Sequence, residues 1–246
     1  MLRSVNDLRG TAVHAVDGLI GNVHDLYFDD DHWTVRYYVV DTGNWLPGRK
    51  VLISPHVVQP PDPNEIWLPV SLTKAQIEKS PGVDTERPVE RQYESSLYDY
   101  YGWSPYWFPM EPMPPTQSQA GALERERAAA AVLERTDPHL RSAKDVIGYY
   151  VEAKDGEIGH IEDFLVDDQQ AQIRYAVIDT KNWLPGRKVL VTPKWIREVN
   201  WNDAKVFVDL TQDAVRKSPE YTSVELLDSA YESRLHNHYG YPIEWL

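Results

Sequence analysis

The sequence predicts a mainly β fold with some helix, arranged as two small antiparallel β-barrel-like modules that each end in a helical tail. A duplication is the first observation behind this fold class. Residues 44–52 recur letter for letter at 182–190, and the same offset of 138 positions aligns the rest of the two halves. The second observation is the pattern inside each half, where short runs of β-branched and aromatic residues alternate with turn signals and are followed by helix-forming segments.

The duplication also predicts the domain boundaries. Residues 1–108 form the first module and residues 140–246 the second, and we call them copy 1 and copy 2. A chain of 246 residues accommodates two domains of this size, each with a core of its own. The segment 109–139 opens with several prolines, which predicts an extended spacer. Its part 122–135 is rich in Ala, Glu and Arg and predicts a short linker helix.

Each copy begins with a hairpin. The Asp-Gly pairs at 17–18 and 155–156 stand between apolar residues, and glycine accepts the positive φ that tight turns require. Gly21 and Gly159 lie inside the next strand, where glycine indicates a bulge or a bend. The strands predicted after the hairpin turn are residues 20–28, 35–40, 50–53 and 66–68 in copy 1, and residues 158–166, 173–178 and 205–208 in copy 2.

Two helical pieces follow the strands in each copy. Thr73 and Thr211 are N-cap signals for the first piece, which a Ser-Pro pair ends. Gly102 and Gly240 close the second piece. The predicted helical ranges are 71–79 and 89–101 in copy 1, and 210–217 and 225–239 in copy 2.

Composition limits the partners and the chemistry. The net charge of -13 disfavours direct binding to nucleic acid or to an anionic membrane surface, because both depend on Lys and Arg. The chain has no cysteine, which removes disulfides, thiolate catalysis and cysteine-based metal sites. The first residues lack the apolar core of a secretion signal, and no apolar run approaches the roughly 20 residues needed to cross a bilayer. We therefore expect a cytoplasmic protein with no membrane span.

The repeated motifs resemble the PRC-barrel family. These motifs are Asp-Gly, then Ile-Gly, an aromatic-rich strand that ends in Asp-Thr, and the Trp-Leu-Pro-Gly-Arg-Lys-Val-Leu loop, over residues 2–81 and 140–219. The resemblance implies a small, mostly antiparallel barrel that serves docking or regulation, with no catalytic residues to transfer. The family includes the cytoplasmic domain of the photosynthetic reaction-centre H subunit and a related barrel in a ribosome-maturation factor. This sequence departs from both, because it lacks the membrane helix of the former and carries a second copy instead of the other domain of the latter.

The repeated loop is the first candidate partner-binding site. Trp45 and Arg49 in copy 1, with Trp183 and Arg187 in copy 2, offer an aromatic platform beside cations. The structural interpretation is favoured, because identical loops in two copies suit a shared requirement of the fold. In that interpretation the tryptophans cover the barrel ends, and each arginine pairs with the aspartate that precedes the loop, such as Asp41.

The aromatic tails are the second candidate. We expect their rings either to pack on the protein's own barrels or to form a subunit interface, where Tyr and Trp are enriched. The candidate residues in the tails are Tyr98, Tyr101, Trp103, Trp107, Tyr239 and Trp245.

Metal and catalytic sites have weaker support. The acidic turns at 29–31 and 167–168 lack the spacing of a calcium loop, and a solvated turn is favoured. His236 and His238 stand two positions apart, which does not place them on one helix face. No nucleophile, phosphate-loop or zinc-protease motif occurs, so we assign no catalytic residue, cofactor or metal.

The sequence thus predicts a non-enzymatic interaction or scaffolding protein that self-associates. Three alternatives stay open: a photosynthesis-linked regulator, a ribosome-assembly factor, and an enzyme or metal protein with an unrecognised site.

Overall fold

A computed structural model describes residues 1–60, 66–83, 89, 91–107, 140–180 and 187–240. It confirms the predicted fold class, because the protein is mainly β with short helices and its strands form two sheets. The strands of copy 1 are β1 (Leu2–Ser4), β2 (Ala12–Ala15), β3 (Gly18–Asp29), β4 (Val35–Asp41), β5 (Lys50–Ile53) and β6 (Leu68–Pro69). Those of copy 2 are β7 (Leu140–Ser142), β8 (Tyr150–Ala153), β9 (Gly156–Asp167), β10 (Gln172–Asp179), β11 (Lys188–Val191), β12 (Ile196–Asn200) and β13 (Lys205–Val208).

The two sheets repeat one strand order. The sheet of copy 1 runs β5-β4-β3-β2-β6, and that of copy 2 runs β11-β10-β9-β8-β13-β12. The pairing is antiparallel except between β2 and β6 and between β8 and β13, which run parallel. Among the described residues neither path of paired strands closes on itself, so each copy is barrel-like and open.

The first strand of each copy belongs to the sheet of the other copy. β1 pairs antiparallel with β9, with Leu2 opposite Asp167, and β7 pairs in the same way with β3, with Leu140 opposite Asp29. The exchange is reciprocal, so the two copies are related by an approximate twofold axis. This exchange was not predicted, because a three-residue Leu-Arg-Ser strand carries no sequence signal for the partner with which it pairs.

The two copies also share one hydrophobic core. Phe28 and Trp33 of copy 1 meet Phe164 of copy 2, with ring centroids 5.9 and 6.0 Å from that of Phe164. Close by, the backbone N–H of Val35 donates to the carbonyl of Ala171 at 2.6 Å. A single buried cluster contains residues of both copies, so the expectation of one separate core for each copy is replaced by a joint core.

Positions 21 and 159 require glycine for a steric reason. Both have positive φ, +153° and +134°, and a Cβ on either would lie 2.0 Å from the carbonyl oxygen of Asp41 or Asp179. Only glycine allows strands β3 and β9 to approach their neighbours so closely. The expected irregularity is present, because the β2–β3 register shifts after Val13, the residue paired with Gly21.

The described chain has six α-helices and three single-turn 3-10 helices. The Thr73 cap is confirmed as a capping box with Gln76, and Thr211 accepts from the backbone N–H of Ala214. Two four-residue helices after β1 and β7, and strand β12, were not predicted, and the predicted linker helix lies outside the described residues. The helices are α1 (Val5–Leu8), α2 (Lys74–Glu78), α3 (Arg91–Tyr101), α4 (Ala143–Val146), α5 (Gln212–Lys217) and α6 (Ser229–Tyr239). None of them has the length and apolar character needed to cross a lipid bilayer.

Candidate partner-binding surfaces

The repeated loop is held by a buried threonine at its start. The Thr42 hydroxyl donates to the carbonyl oxygens of Leu46 at 2.8 Å and Arg49 at 2.6 Å. In copy 2 the Thr180 hydroxyl donates to the carbonyl of Arg187 at 2.8 Å. The Asp-Thr that ends the aromatic-rich strand therefore fixes the ends of the loop in both copies.

The loop arginines bind the helix that follows the sheet. Arg49 donates from Nη1 to the carbonyl of Glu78 at 2.6 Å and from Nη2 to the carbonyl of Ser80. Arg187 repeats these contacts on Arg216, at 2.8 Å, and on Ser218. The carbonyls at a helix C-terminus carry partial negative charge and lack intrahelical donors, so a guanidinium satisfies them.

These contacts correct the expected pairing of Arg49 with Asp41. In the described chain Arg49 forms no ion pair with Asp41, whose Oδ1 accepts instead from the backbone N–H of Gly43 at 2.9 Å. The arginine is used inside each copy, as the structural interpretation expected, although with different partners.

Trp45 is half-buried against the shared core. The cation beside its ring is Lys74, with Nζ 4.6 Å from the ring centroid. Trp183, its counterpart, lies outside the described residues. The loop of copy 1 therefore contributes a half-buried tryptophan, and helix α2 contributes the lysine beside it.

The aromatic tail of copy 1 packs on its own sheet. Tyr98 is only 1% exposed and lies in a second buried cluster with Tyr37 and Leu52. Trp103 and Trp107 surround it, with ring centroids 5.5 and 5.0 Å from that of Tyr98. Tyr98 therefore packs on the sheet of its own copy, which is one of the two arrangements expected for the tail.

The other tail candidates that the structure describes, Tyr101, Trp103, Trp107 and Tyr239, are half-buried. Tyr101 stacks on Trp103 at 4.4 Å. In copy 2 the ring of Tyr239 lies 4.7 Å from that of Trp195. Trp245 lies outside the described residues. The half-buried tail rings thus contact other rings of their own copy.

A glutamate under each tail, buried in copy 1 and half-buried in copy 2, was missed by the sequence interpretation. Glu94 is fully buried, and its Oε1 accepts from the hydroxyls of Tyr37 and Tyr106, both at 2.9 Å. Glu232 accepts from the Tyr175 hydroxyl at the same distance. Burial raises the pKa of Tyr37 and of Tyr175, so both hydroxyls remain donors at neutral pH. The sequence does contain a signal for this contact, because the same Tyr and Glu occur at matched positions in both copies.

A second missed feature joins the copies. Asp25 of copy 1 accepts from the Ser142 hydroxyl at 2.5 Å and from the backbone N–H of Lys144 at 3.0 Å, at the start of α4. Asp163 does the same for Ser4 and the N–H of Asn6, at the start of α1. Burial raises the pKa of both aspartates.

The acidic turns also join the copies. Asp30 pairs with Arg141 at 2.7 Å, and Asp168 pairs with the N-terminal amino group of Met1 at 2.6 Å. Among the described residues no group of three or more His, Asp or Glu side chains is placed to hold a metal ion. The polar features shared by the copies therefore assemble the molecule, and a partner site has to be sought where the copies differ.

The copies differ on the surface around β2, β3 and β6. His14 lies opposite Leu19 across the β2–β3 pair, and its ring stacks on Trp67 at 4.9 Å. Val16 follows β2 in the hairpin turn, two positions after His14. Val16, Leu19 and the neighbouring Ile66 are 63%, 51% and 89% exposed. We call these five residues the apolar row.

Copy 2 has charged side chains at four of the five places, and Ala204 stands in place of Ile66. Glu152 and Lys205 replace His14 and Trp67 and form an ion pair at 2.8 Å. Lys154 replaces Val16 and pairs with Asp209 at 2.7 Å, and Glu157 replaces Leu19. We call Glu152, Lys154, Glu157 and Lys205 the charged row.

One backbone contact under the two rows is the same. The N–H of Val16 donates to the carbonyl of Leu72 at 3.0 Å, and the N–H of Lys154 donates to Leu210 at 2.9 Å. The strands beside this contact differ in extent, because Lys205 lies in β13 and pairs with Tyr150, whereas Trp67 precedes β6. The related position in copy 2 therefore carries charged side chains on a similar hairpin.

The family model of the PRC-barrel domain matches residues 2–76 and 138–215. These two segments make up more than half of the chain, so the chain belongs to the PRC-barrel family, as the repeated motifs predicted. No curated protein matches the chain at a significant level.

Proposed function

We propose that this chain is a non-catalytic interaction or scaffolding protein of the cytoplasm whose partner surface is the apolar row. The observation that carries the proposal is the divergence of one surface between two copies that otherwise share their polar contacts. An exposed group of large apolar side chains marks interaction surfaces in soluble proteins, whereas single exposed apolar residues need no explanation.

A second molecule is the partner that this surface fits. A twofold contact brings a patch against the identical patch, which requires only that the patch be self-complementary, and the uncharged side chains of the row satisfy this condition. Full burial of one such side chain contributes about 1.5–3 kcal/mol, and a twofold contact buries each of them twice. That gain offsets an association cost of at least about 4 kcal/mol.

The sister copy supplies the test. The variant His14→Glu with Trp67→Lys places on copy 1 the two side chains that form an ion pair in copy 2. We expect this row exchange to leave the circular dichroism spectrum unchanged and to raise the dissociation constant of the self-association at least about 100-fold, as the loss of aromatic anchors does at interfaces. Light scattering over a concentration series measures this dissociation constant.

The matched control is the converse exchange, Glu152→His with Lys205→Trp in copy 2, which should retain the association of the parent. An association state that survives the row exchange contradicts self-association through this face. Affinity capture from cell extract with parent and variant then separates the remaining outcomes. A protein retained by the parent and lost by the variant assigns the row to a different partner, and equal retention removes the row as a partner surface.

A further inference from the structure

A cleft of about 680 Å³ lies between the two copies, away from the apolar row. One wall is the turn after β3 of copy 1, which contributes Asp31 and Trp33. The other wall is β12 of copy 2, followed by Trp201. A cleft of this volume is within the usual range of ligand-binding sites.

The cleft follows the edge of a sheet. The four successive residues 196–199 of β12 all line it, and the register against β13 shifts between Ile196 and Glu198, so Arg197 is a bulge residue. The cleft therefore runs along this strand on both sides of the bulge. β12 ends the strand order of its sheet, and within the described chain its only strand partner is β13. The outer edge therefore offers main-chain donors and acceptors to an added strand.

The floor of the cleft is held by contacts across the copies. The guanidinium of Arg141 lies 4.2 Å from the ring centroid of Trp201, and its Nε donates to Asp30 at 2.7 Å. The Arg141 side chain is thus engaged by both Asp30 and Trp201, and its stacking holds the Trp201 ring in position. The site presents a positioned half-buried aromatic surface next to an open strand edge.

Copy 1 does not offer the same edge. The positions that correspond to Glu198 and Val199 are Pro60 and Pro61. Proline has no backbone N–H and is the residue that closes sheet edges against pairing. The duplicated chain therefore carries one edge without these donors and one edge with them.

We propose that the β12 edge binds an extended segment of a partner protein as an added strand. Backbone amides in an extended conformation are the groups that complement an open edge. Arg197 and Glu198 are both exposed and have no ion-pair partner among the described residues. A bound segment with an acidic side chain opposite Arg197 and a basic side chain opposite Glu198 forms an ion pair with each of them. An apolar side chain next to these two covers Trp201. This proposal does not depend on the function proposed for the apolar row.

The probe is a phage-displayed library of random ten-residue peptides, selected on the full-length protein. We expect the enriched peptides to carry adjacent charges of opposite sign beside an apolar residue. In fluorescence anisotropy, the double variant Arg197→Glu with Glu198→Arg should bind the selected peptide at least tenfold more weakly. A peptide with its two charges exchanged should recover that loss on the variant and bind the parent poorly. Both positions are exposed, so the variant retains the fold.

Hydrogen exchange locates the bound peptide. Binding should slow the exchange of amide hydrogens within residues 196–200 in the parent, and the row-exchange variant should behave as the parent does. Several results would overturn the proposal: no enriched peptide, equal binding by the charge-reversed variant, or protection confined to another part of the chain. Loss of peptide binding in the row-exchange variant would transfer the peptide site to the apolar row and remove it from β12.

Discussion

At the scale of single residues, the duplicated chain uses the same few side chains twice as fixed joints. Arg49 and Arg187 fasten a helix end to the repeated loop, and Glu94 and Glu232 fasten each tail to its sheet. The two arginines look like binding residues in the sequence because they are charged, close to a tryptophan and repeated, whereas the two glutamates were not singled out. Their contacts are internal, since exposed polar residues and buried hydrogen-bonded ones give the same letters in a sequence.

Gly21 gives a sharp prediction at this scale. Gly21→Ala places a Cβ 2.0 Å from the carbonyl oxygen of Asp41, on a backbone with φ of +153°. We expect a loss of about 3 kcal/mol or more in the free energy of unfolding, because backbone strain of about 1–3 kcal/mol adds to the steric overlap. Urea unfolding measures the loss.

Gly82 is the matched control for Gly21. A Cβ on Gly82 meets no atom within 4 Å, and its φ is not positive, so Gly82→Ala should change stability by less than about 1 kcal/mol. Equal effects of the two substitutions would show that the close approach of β3 to its neighbour is not a constraint.

At the scale of elements, short helices are capped from the opposite copy. The N-terminal turn of α4 receives Asp25, and that of α1 receives Asp163. Asp25 is buried and Asp163 is half-buried. Desolvation is the largest cause of the raised pKa of both aspartates, and it outweighs the lowering of the pKa by their hydrogen bonds. The contact between the copies therefore contains two carboxyl groups that resist ionisation.

This arrangement sets a pH dependence that the variant Asp25→Asn reveals. A carboxyl whose pKa is higher in the folded state binds more protons there, so its contribution to stability rises as pH falls through that pKa toward the unfolded value of about 3.9. Asparagine does not titrate in this range. The free energy of unfolding of the parent minus that of Asp25→Asn should therefore increase as pH is lowered from 7 to 4.

Urea unfolding at several pH values measures this difference, and Asp213→Asn is the control. Asp213 is exposed, and its pKa is lowered by Lys217, so its contribution should decrease over the same range of pH. A parent-minus-variant difference for Asp25 that falls with decreasing pH would show that the hydrogen bonds outweigh burial at this carboxyl.

Most strands and helix caps could be predicted from the sequence, whereas the strands with which β1 and β7 pair could not. Strands β4, β5 and β13, and the helix caps at Thr73 and Thr211, follow from local patterns of branched, aromatic and capping residues. The exchange of β1 and β7 depends on which surface a short strand meets after the chain has folded, which no local pattern encodes. The proposed partner surface was missed for a related reason. The apolar row becomes visible only when β2, β3 and β6 bring His14, Leu19 and Trp67 together.

At the scale of the whole molecule, one chain has the construction of a twofold dimer. Each copy lends its first strand and a helix cap to the other, and the joint core contains Phe28, Trp33 and Phe164. Covalent linkage allows the two copies to diverge, which an oligomer of identical subunits cannot do. The divergence appears where it leaves these joints intact, at the apolar row and at the edge of β12.

Separate halves test this construction. Residues 1–108 and 140–246 each contain a Leu-Arg-Ser strand and a sheet edge that accepts such a strand, and in the intact chain each strand pairs with the sheet of the other half. We expect neither half to be a stable monomer and the mixture to form a one-to-one complex, because only that pairing reproduces the Asp25–Ser142 and Asp163–Ser4 contacts together with the joint aromatic core. Analytical ultracentrifugation of each half and of the mixture measures the masses. Two folded monomers that do not associate would show that strand exchange is dispensable, whereas a complex weakened by Asp25→Asn at pH 7 would assign part of its stability to the capping contact between the copies.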